Sequence, residues 1–474
     1  MNLKIFYIVF LILLVFYYAD TTMVMDKNVI FILLLINFVS IFLFLFKKEN
    51  KKELRKQTFK FSTLFVIGFC IVHFQYHVDY LLDNVDENNL YIWINKNVVV
   101  KSLVISTAGL ISFFIGYLIL KKSKIINSKK QQANSTKLLV GIAAVMLVLF
   151  VVTVNPLYLA GFYGEEEMGD TATYAILLFN LLAFSAIIQN CRNMIFLKQI
   201  PISIKEYVKK QSYLLTTIIG IYLLLVLISG DRGPIITFSV CYFSGYYIVT
   251  KKKLSVKRGL VFIISGAVFM TLLGEIRRAD KDIDFATRLQ EAINEEKTGN
   301  QESFLPQTQE LAGSIRTLHT AVDYIPEKHD FLYGRFQFQQ ITASIPFFNM
   351  FLPIFYDSGH VRYRGSASFV TWINQGDYPN SGDGTSCITD YYFDFGIFGV
   401  IFGMLFFGMT TRFFEVNLFS NYNISPVFIY VFGVVYLSNA IYIPRSSILF
   451  ELRTVVWITL ILLLNSLIKR NRLS

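Results

Sequence analysis

The stretch VVVKSLVISTAGLISFFIGYLIL, residues 98–120, decides the fold class of this chain. It contains one charged side chain, Lys101, in an otherwise apolar or small-polar run. A bilayer core of about 30 Å requires about 20 mostly apolar helical residues, so this stretch predicts a membrane-spanning helix. The same criterion predicts eleven further spans. They cover residues 3–19, 28–46, 59–78, 138–155, 172–190, 212–229, 234–250, 259–275, 388–411, 426–443 and 453–468.

The composition agrees with a membrane location for most of the chain. Of the 474 residues, 54% are hydrophobic, which is too apolar for a soluble domain of ordinary composition. The first span has the basic start and apolar run of a signal peptide. Because it lacks a small-residue cleavage site and more spans follow, we expect an uncleaved helix. Of the four cysteines only Cys387 is predicted to lie outside the membrane and cytoplasm, so we expect no structural disulfide.

The distribution of basic residues predicts the orientation of the spans. The connections 47–60, 121–137, 192–210 and 251–258 together carry 23 basic and 3 acidic side chains, whereas the alternating connections are acidic. Lys and Arg accumulate in cytoplasmic loops, so these four connections and both termini are predicted to be cytoplasmic. The predicted membrane topology therefore accounts for the net charge of +11, and no nucleic-acid partner is needed to explain it.

This orientation predicts three parts. Residues 1–275 hold nine transmembrane helices, residues 276–387 form a large extracytoplasmic loop, and residues 388–474 hold the last three helices. The fold class is thus an all-α polytopic membrane protein with about 12 transmembrane helices and a helical extracytoplasmic loop subdomain.

The loop shows two amphipathic patterns and one apolar segment. Helical spacing predicts one helix through Phe285, Leu289 and Ile293 and another through Leu311, Ile315, Leu318 and Val322. The apolar stretch SIPFFNMFLPIFY, residues 344–356, is short and contains two prolines, so it predicts a re-entrant or interfacial segment. If it spans the membrane instead, the topology after it inverts.

Charged residues next to the membrane predict a phosphate site. Asp231 and Arg232 lie in the tight hairpin SGDRGP, residues 229–234, and Arg277 and Arg278 lie where the ninth span leaves the membrane. Their placement has structural explanations, a capped turn with an ion pair for the first pair and interfacial snorkelling for the second. The functional explanation is bidentate binding of phosphate by guanidinium groups, which Arg445 in the last external turn would join. Such a cluster suits a pyrophosphate anchored in the outer leaflet.

The stretch GDGTSCITDYYFDFGIFGVIFGMLFFG, residues 382–408, places Asp390 and Asp394 four residues apart at the start of the tenth span. Either carboxylate is a candidate general base on a sugar hydroxyl, and capping of a helix start is the structural alternative. Gly396, Gly399 and Gly403 permit close packing of helices.

A basic patch in the external loop is a candidate glycan site. His360, Arg362 and Arg364 form it, and Trp372 or Tyr378 would stack on sugar rings. His73 and His77 are four residues apart in the third span, but no partner ligand is evident, so structural histidines are favoured over a metal site. The sequence has no nucleotide-binding glycine loop and no protease motif, and we expect no cofactor.

These residues resemble the Wzy-type family of O-antigen and capsule repeat-unit polymerases of bacterial membranes. The resemblance rests on SGDRGP at the outer end of span seven, on GTSCITDYYFDFGIFGVIFG before and within span ten, and on the layout of the whole chain. It implies a glycosyltransferase with a C-type-like helical bundle in the bacterial inner membrane. The implied substrate is an oligosaccharide linked to undecaprenyl pyrophosphate, and a chain-length regulator and a flippase are suggested partners.

The resemblance also implies roles for individual residues. Arg232 carries over from the hairpin motif, and Asp390 occupies the place where similar sequences often have an acidic residue. The motif does not settle Asp390 against Asp394 as the base. Arg277, Arg278 and Arg445 are added from their positions in the predicted topology. We expect Asp390, Arg232 and Arg278 to be catalytic, and Arg277, Arg445, Asp231, His360 and Arg364 to bind substrate. Two other functions share this layout, a flippase or transporter of lipid-linked oligosaccharide and an O-antigen ligase.

Overall fold

The computed structural model describes most of the chain, and every regular element in the described part is a helix. The described residues are 3–19, 23–47, 59–120, 133–159, 168–229, 231, 233–252, 254, 266, 287, 303–356, 361–419 and 426–471. The described helices of ten or more residues are α1 (Leu3–Tyr18), α2 (Lys27–Leu45), α3 (Phe61–Leu81), α4 (Lys96–Ile119), α5 (Lys137–Thr153), α6 (Asp170–Phe196), α7 (Tyr213–Ser229), α8 (Gly233–Thr250), α9 (Ile315–Tyr324), α10 (Arg335–Ser344), α11 (Ser366–Gln375), α12 (Thr389–Phe419), α13 (Val427–Ser438) and α14 (Leu452–Asn471).

Five described helices are long and apolar enough to cross a membrane, namely α2, α3, α4, α6 and α12. The short helix Ile204–Lys210 and α7 together qualify as a sixth, with a bend of 101° between them. Helices α1, α5, α13 and α14 contain shorter apolar segments. Eleven predicted spans coincide with α1–α8 and α12–α14, and the ninth, residues 259–275, lies outside the described residues apart from residue 266. The helical membrane class is confirmed, whereas the count of twelve stays a prediction.

Helices α4 and α12 form the centre of the bundle and pack closely along their length. Glycine makes this approach possible. A Cβ on Gly408 would collide with the backbone carbonyl of Phe113, and one on Gly116 would collide with that of Leu405. Small residues at such crossings let two backbones pack without a cavity, which is how membrane helices associate. Helices α1, α2 and α3 surround this pair, while α6 packs with α5, α8 and α14.

Connections that were predicted to share a side of the membrane meet at one end of the bundle. The Tyr18 and Tyr392 hydroxyls are 3.3 Å apart, and Asn95 donates to Asp323 over 2.6 Å. The backbone N–H of Cys387 donates to the Pro444 carbonyl. We call this end, which carries residues 82–95, 303–356, 361–388 and 439–451, the loop end. At the opposite end, Glu415 accepts hydrogen bonds from the Ser62 backbone and the Tyr117 hydroxyl.

Helix α9 is the core of the described part of the loop. Its residues Ile315, Leu318 and Val322 are buried as the spacing predicted, and the helix packs on α4, α11 and α12. Leu311 lies just before α9 in the short helix Gln309–Ala312. The other predicted amphipathic helix, through residues 285–293, lies outside the described residues apart from residue 287.

Helix α12 is broken near its start, at Phe395 and Gly396. Gly396 has φ 61° and ψ −150°, a conformation that glycine adopts easily and other residues do not. Residues 389–394 therefore form a separate turn that folds back on the rest of α12. A Cβ on Gly403 would lie 2.6 Å from the Tyr391 ring, and one on Gly399 would collide with the Tyr391 carbonyl. Gly399 and Gly403 therefore make room for the turn 389–394 of the same helix. The sequence had suggested that they permit close packing against a neighbouring helix.

Candidate active site at the loop end

Asp390 is a buried carboxylate at the loop end with several hydrogen-bond donors. It is 1% exposed, and its Oδ1 accepts hydrogen bonds from Thr385 Oγ1 over 2.9 Å and from Ser366 Oγ. Its Oδ2 accepts from Gln340 Nε2 over 3.0 Å, and Ser447 also bonds to the carboxylate. These donors come from four separate segments, so one buried carboxylate joins α10, α11, the approach to α12 and the turn before α14.

One of the joined segments carries Arg364. This arginine is two residues before Ser366, which donates to Asp390, and its side chain is exposed. Its backbone carbonyl accepts a hydrogen bond from Gln339 Nε2 over 2.8 Å, so α10 holds the backbone as well. The predicted substrate-binding side chain therefore extends outward from a fixed backbone beside the buried carboxylate.

A second joined segment carries Arg445, two residues before Ser447. The Arg445 side chain is 29% exposed, and its Nη1 lies 3.4 Å from Glu310 Oε1 in an exposed ion pair. Such a pair is worth about 0–1 kcal/mol, so an anionic ligand can replace Glu310 at small cost. Sequence reasoning placed Arg445 and Asp390 in separate motifs, and the fold brings their segments together.

The third joined segment, α10, begins at Arg335, which sequence reasoning did not select. The Arg335 guanidinium lies over the Tyr363 ring at 3.9 Å and over the Tyr356 ring at 5.5 Å. Stacking on two rings restricts the guanidinium and adds cation–π attraction. The sequence did contain a signal for Arg335. Like Arg445, it is a basic residue on the side of the membrane where acidic residues predominate.

Asp394 contacts α10 as well, but in a different way. Its Oδ2 accepts from the Gln337 N–H over 3.1 Å and its Oδ1 from the Phe336 N–H over 3.3 Å. These N–H groups belong to the first turn of α10, where a carboxylate satisfies unpaired donors and the helix dipole. Asp390 and Asp394 thus face the same helix, and Asp394 performs the capping role on α10 rather than on its own helix.

The hairpin between α7 and α8 is described in part. Asp231 Oδ1 accepts a hydrogen bond from the Gly233 N–H over 3.1 Å at the start of α8, which is the capped turn that the residue types favour. Arg232 lies outside the described residues. The same holds for Arg277, Arg278 and His360, so their predicted roles stay predictions.

The aromatic part of the predicted glycan patch is occupied by protein groups. The Arg362 guanidinium lies 4.4 Å from the Trp372 ring, and the Phe369 ring stacks against Trp372 with centroids 5.8 Å apart. The indole N–H of Trp372 donates to Asp377 Oδ1 over 2.8 Å. Trp372 is therefore mostly engaged within the loop, whereas Tyr378, which is 92% exposed, keeps its ring available.

A second buried carboxylate, Asp79 at the end of α3, attaches the loop to the bundle. Its oxygens accept from Ser303 Oγ over 2.6 Å and from the Phe304 N–H over 2.7 Å. One turn earlier, Gln75 donates to Ser303 Oγ and accepts from Thr308 Oγ1 over 2.6 Å. Sequence reasoning missed this attachment, although a carboxylate at the edge of a predicted span is a usable signal.

His73 and His77 lie in a buried aromatic cluster with His319 and Trp93. The His77 and His319 rings are 6.2 Å apart, and His319 Nδ1 bonds to the Ile92 carbonyl over 2.9 Å. Burial lowers the pKa of His319 to about 4, so its ring is neutral near pH 7. Among the described residues, no group of three or more His, Cys, Asp or Glu side chains is arranged to hold a metal ion.

The fold and this site define a class, namely a multi-pass helical membrane protein with a polar, arginine-bearing site at one end of its bundle. The sequence then identifies the family. The family model described as O-antigen polysaccharide polymerase Wzy matches residues 3–471, nearly the whole chain, and the chain belongs to this family. No curated protein and no solved structure matches the chain. The family acts on lipid-linked oligosaccharide repeat units in membranes. The C-type likeness of the bundle stays a prediction.

Proposed function

We propose that this protein polymerises oligosaccharide repeat units linked to undecaprenyl pyrophosphate, and that the reaction takes place at the loop end. Membership of the Wzy family supports the reaction class. The main support for a reaction at the loop end is the buried Asp390 carboxylate. It joins the segments that bear Arg335, Arg364 and Arg445. Guanidinium groups on segments that are joined in this way suit an anionic leaving group, because preorganised positive charge stabilises the charge that develops on it.

The proposed reaction is a glycosyl transfer without a nucleotide sugar. A hydroxyl at the non-reducing end of one lipid-linked repeat unit attacks the anomeric carbon of the growing chain. The bond between that carbon and the pyrophosphate oxygen breaks, and undecaprenyl pyrophosphate leaves with the bonding electron pair. The hydroxyl proton passes to a base. Arginines on the loop end neutralise the leaving pyrophosphate, and Arg232, Arg277 and Arg278 are proposed to add to them.

Asp390 has two candidate roles in this reaction. As a general base it would contact the acceptor hydroxyl, and to do so it would have to give up at least one of its present donors. As a positioning residue it would hold the arginine-bearing segments at fixed distances from one another. Its burial and the occupation of both oxygens favour the positioning role, since a buried carboxylate is stable only when it is well supplied with donors.

The charge distribution favours an extracytoplasmic site. The 23 basic residues of the four basic connections favour a cytoplasmic location for those connections, and the loop end would then lie on the other face. Substrate would then arrive after a flippase has moved the lipid-linked repeat unit across the membrane. A chain-length regulator is a further proposed partner. The location proposed is the bacterial inner membrane.

The direct test is polymerisation in proteoliposomes that contain the purified protein and a synthetic lipid-linked repeat unit. We expect Arg364→Ala, Arg445→Ala, Arg232→Ala and Arg278→Ala each to shorten or abolish the polymer ladder at normal protein level. Lys328→Ala is the matched control, because Lys328 is an exposed loop cation paired with Asp323. Full activity in all four arginine variants would overturn the proposed pyrophosphate site.

Surface glycan from a deletion strain separates the proposed polymerase from its two alternatives. Single repeat units on the lipid core are expected for loss of a polymerase. Loss of all core-linked antigen would indicate a ligase. Accumulation of lipid-linked units on the cytoplasmic side would indicate a flippase.

A further inference from the structure

Residues 336–356, which we call the apolar lobe, contain no Asp, Glu, Lys, Arg or His. An uncharged stretch of this length would be long enough to span a membrane as a single helix. The structure instead breaks it into α10 and the two short turns Phe348–Phe351 and Leu352–Phe355. Helix α10 has ten residues and is therefore about 15 Å long, half of the bilayer core. No single helix of the lobe is long enough to cross the bilayer.

Phe336 at the start of the lobe is buried, whereas the second half of the lobe turns apolar side chains outward. Phe347 is 84% exposed, Ile354 72%, Met350 69% and Ile345 43%. Phe347 also has φ 66°, a left-handed conformation that costs an aromatic residue on the order of 1 kcal/mol. The backbone thus adopts a strained turn at Phe347, the most exposed aromatic side chain of the lobe. In water, such a concentrated apolar surface would be costly.

The two ends of the lobe are tied together at a polar neck. Arg335, just before the lobe, lies over the ring of Tyr356 at its last position, and Phe338 packs on the same ring with centroids 5.7 Å apart. A guanidinium and a tyrosine therefore mark one end of the lobe, while the strained apolar turn marks the other. Charged and aromatic groups at one end and apolar side chains at the other are the arrangement expected at a membrane interface, where the polar groups lie at the headgroups and the apolar groups in the lipid.

The surroundings of the lobe identify what covers it. Helix α10 packs against α14, one of the apolar helices of the bundle. Apolar side chains are exposed just before α14 and along it, among them Phe450 at 55%, Trp457 at 37% and Leu464 at 59%. Lipid would cover such a face in a membrane, and the packing of α10 on α14 brings the lobe next to this helix. A protein interface usually has a polar rim, whereas the most exposed positions of the lobe, 347, 350 and 354, all carry apolar side chains.

We propose that the apolar lobe inserts into the lipid leaflet beside α14, with Arg335 and Tyr356 at the level of the headgroups. Because Gln340 of α10 donates to Asp390, the inserted lobe is attached directly to the candidate active site. Insertion would therefore fix the height of that site relative to the lipid phosphates. The partner is the bilayer itself, and the proposal does not depend on which glycan reaction the site performs.

Spin labels on the full-length protein in phosphatidylcholine vesicles test the insertion. Single variants Phe347→Cys and Met350→Cys would be labelled, with Tyr378→Cys as the water-exposed control and labelled wild-type protein as the correction for native thiols. Oxygen concentrates in lipid and a nickel chelate stays in water. We expect labels at 347 and 350 to collide readily with oxygen and rarely with nickel, and the label at 378 to show the reverse.

Two results would overturn the insertion. Nickel collisions at 347 and 350 equal to those at 378 would place the lobe in water. Protection from both oxygen and nickel would show that protein covers the lobe. No polymerisation assay enters the experiment, so failure of the insertion and failure of the proposed function are separate outcomes.

Discussion

Gln340 Nε2 donates a hydrogen bond to Asp390 Oδ2 over 3.0 Å, which joins two residues that are 50 positions apart. Gln340 lies on α10, in the apolar lobe, and Asp390 lies in the first turn of α12. This bond therefore connects the part of the loop proposed to enter lipid with the carboxylate that joins the arginine-bearing segments. Any movement of α10 relative to α12 changes the position of those arginines.

Asp390→Asn tests how the carboxylate acts. The new amide places an NH₂ group opposite at least one existing donor, and hydrogen bonds to a charged group are worth about 1.5–3 kcal/mol each. If Asp390 positions the arginines, KM for the lipid-linked donor rises and the pH profile keeps its shape. A fall in kcat alone, with a flattened pH profile, would instead support a general base. Asp377→Asn, in which an exposed-loop carboxylate is changed, is the control.

Arg364→Lys and Arg445→Lys test the geometry of phosphate binding. Lysine keeps the positive charge but loses the planar pair of donors that matches a phosphate. We expect activity between that of wild type and that of the alanine variants, with the difference largest in KM for the donor. Lysine variants equal to wild type would show that charge alone is needed, and the bidentate contact would be excluded. Polymer length on gels and initial rates supply the measurements.

Asp79→Ala is expected to loosen the loop. The variant leaves Ser303 and the Phe304 N–H without their buried acceptor, at a cost of about 1.5–3 kcal/mol. We expect a lower melting temperature in detergent and faster proteolysis near residue 303. Asp83→Asn is the matched control, because that carboxylate is 80% exposed in its pair with Lys27. Equal effects of the two substitutions would contradict the attachment of the loop through Asp79.

Gly408→Ala is expected to disrupt the central helix pair. Its Cβ would collide with the Phe113 carbonyl, a backbone atom that cannot rotate away, so α4 and α12 must separate. Overpacking of this kind costs about 1–3 kcal/mol or more. Gly220→Ala adds the same methyl group where no neighbouring atom lies within 4 Å. Fluorescence-detected size exclusion should show loss of folded protein for Gly408→Ala but not for Gly220→Ala. A normal yield of both variants would contradict the close packing of α4 against α12.

His319→Asn tests a pH effect on stability. Burial lowers the pKa of His319 to about 4, against about 6.5 for an exposed histidine. Below pH 6.5 the unfolded chain binds a proton that the folded state does not, so the free energy of unfolding falls as pH drops from 6.5 to 4. The maximum slope is about 1.4 kcal/mol per pH unit. Asparagine keeps a donor for the Ile92 carbonyl and removes this titration.

The measurement for His319→Asn is the melting temperature between pH 7 and pH 5. We expect a smaller acid-induced decrease in the melting temperature than in wild type. His329→Asn is the control, since His329 is partly exposed and bonds to the Tyr363 hydroxyl. An unchanged pH dependence in His319→Asn would show that His319 already titrates normally in the folded protein.

Much of the helical framework was predictable from the sequence alone. Hydropathy located the described helices α1–α8 and α12–α14, and helical spacing located α9, because a helix in lipid must satisfy its backbone hydrogen bonds within its own segment. The same local chemistry selected Asp390 and Arg445, since charged residues next to apolar spans are costly and therefore stand out.

Tertiary structure alone decided which of these polar residues meet. No local spacing relates Asp390 to Gln340, Ser366 and Ser447, and the attachment of Ser303 to Asp79 joins positions 224 residues apart. Such contacts depend on how helices cross and where they break, as α12 does at Gly396. Apolar pattern is a property of each segment, whereas hydrogen bonding between segments is a property of the packed bundle. The sequence therefore determined a helical membrane protein, and the packing determined its candidate site.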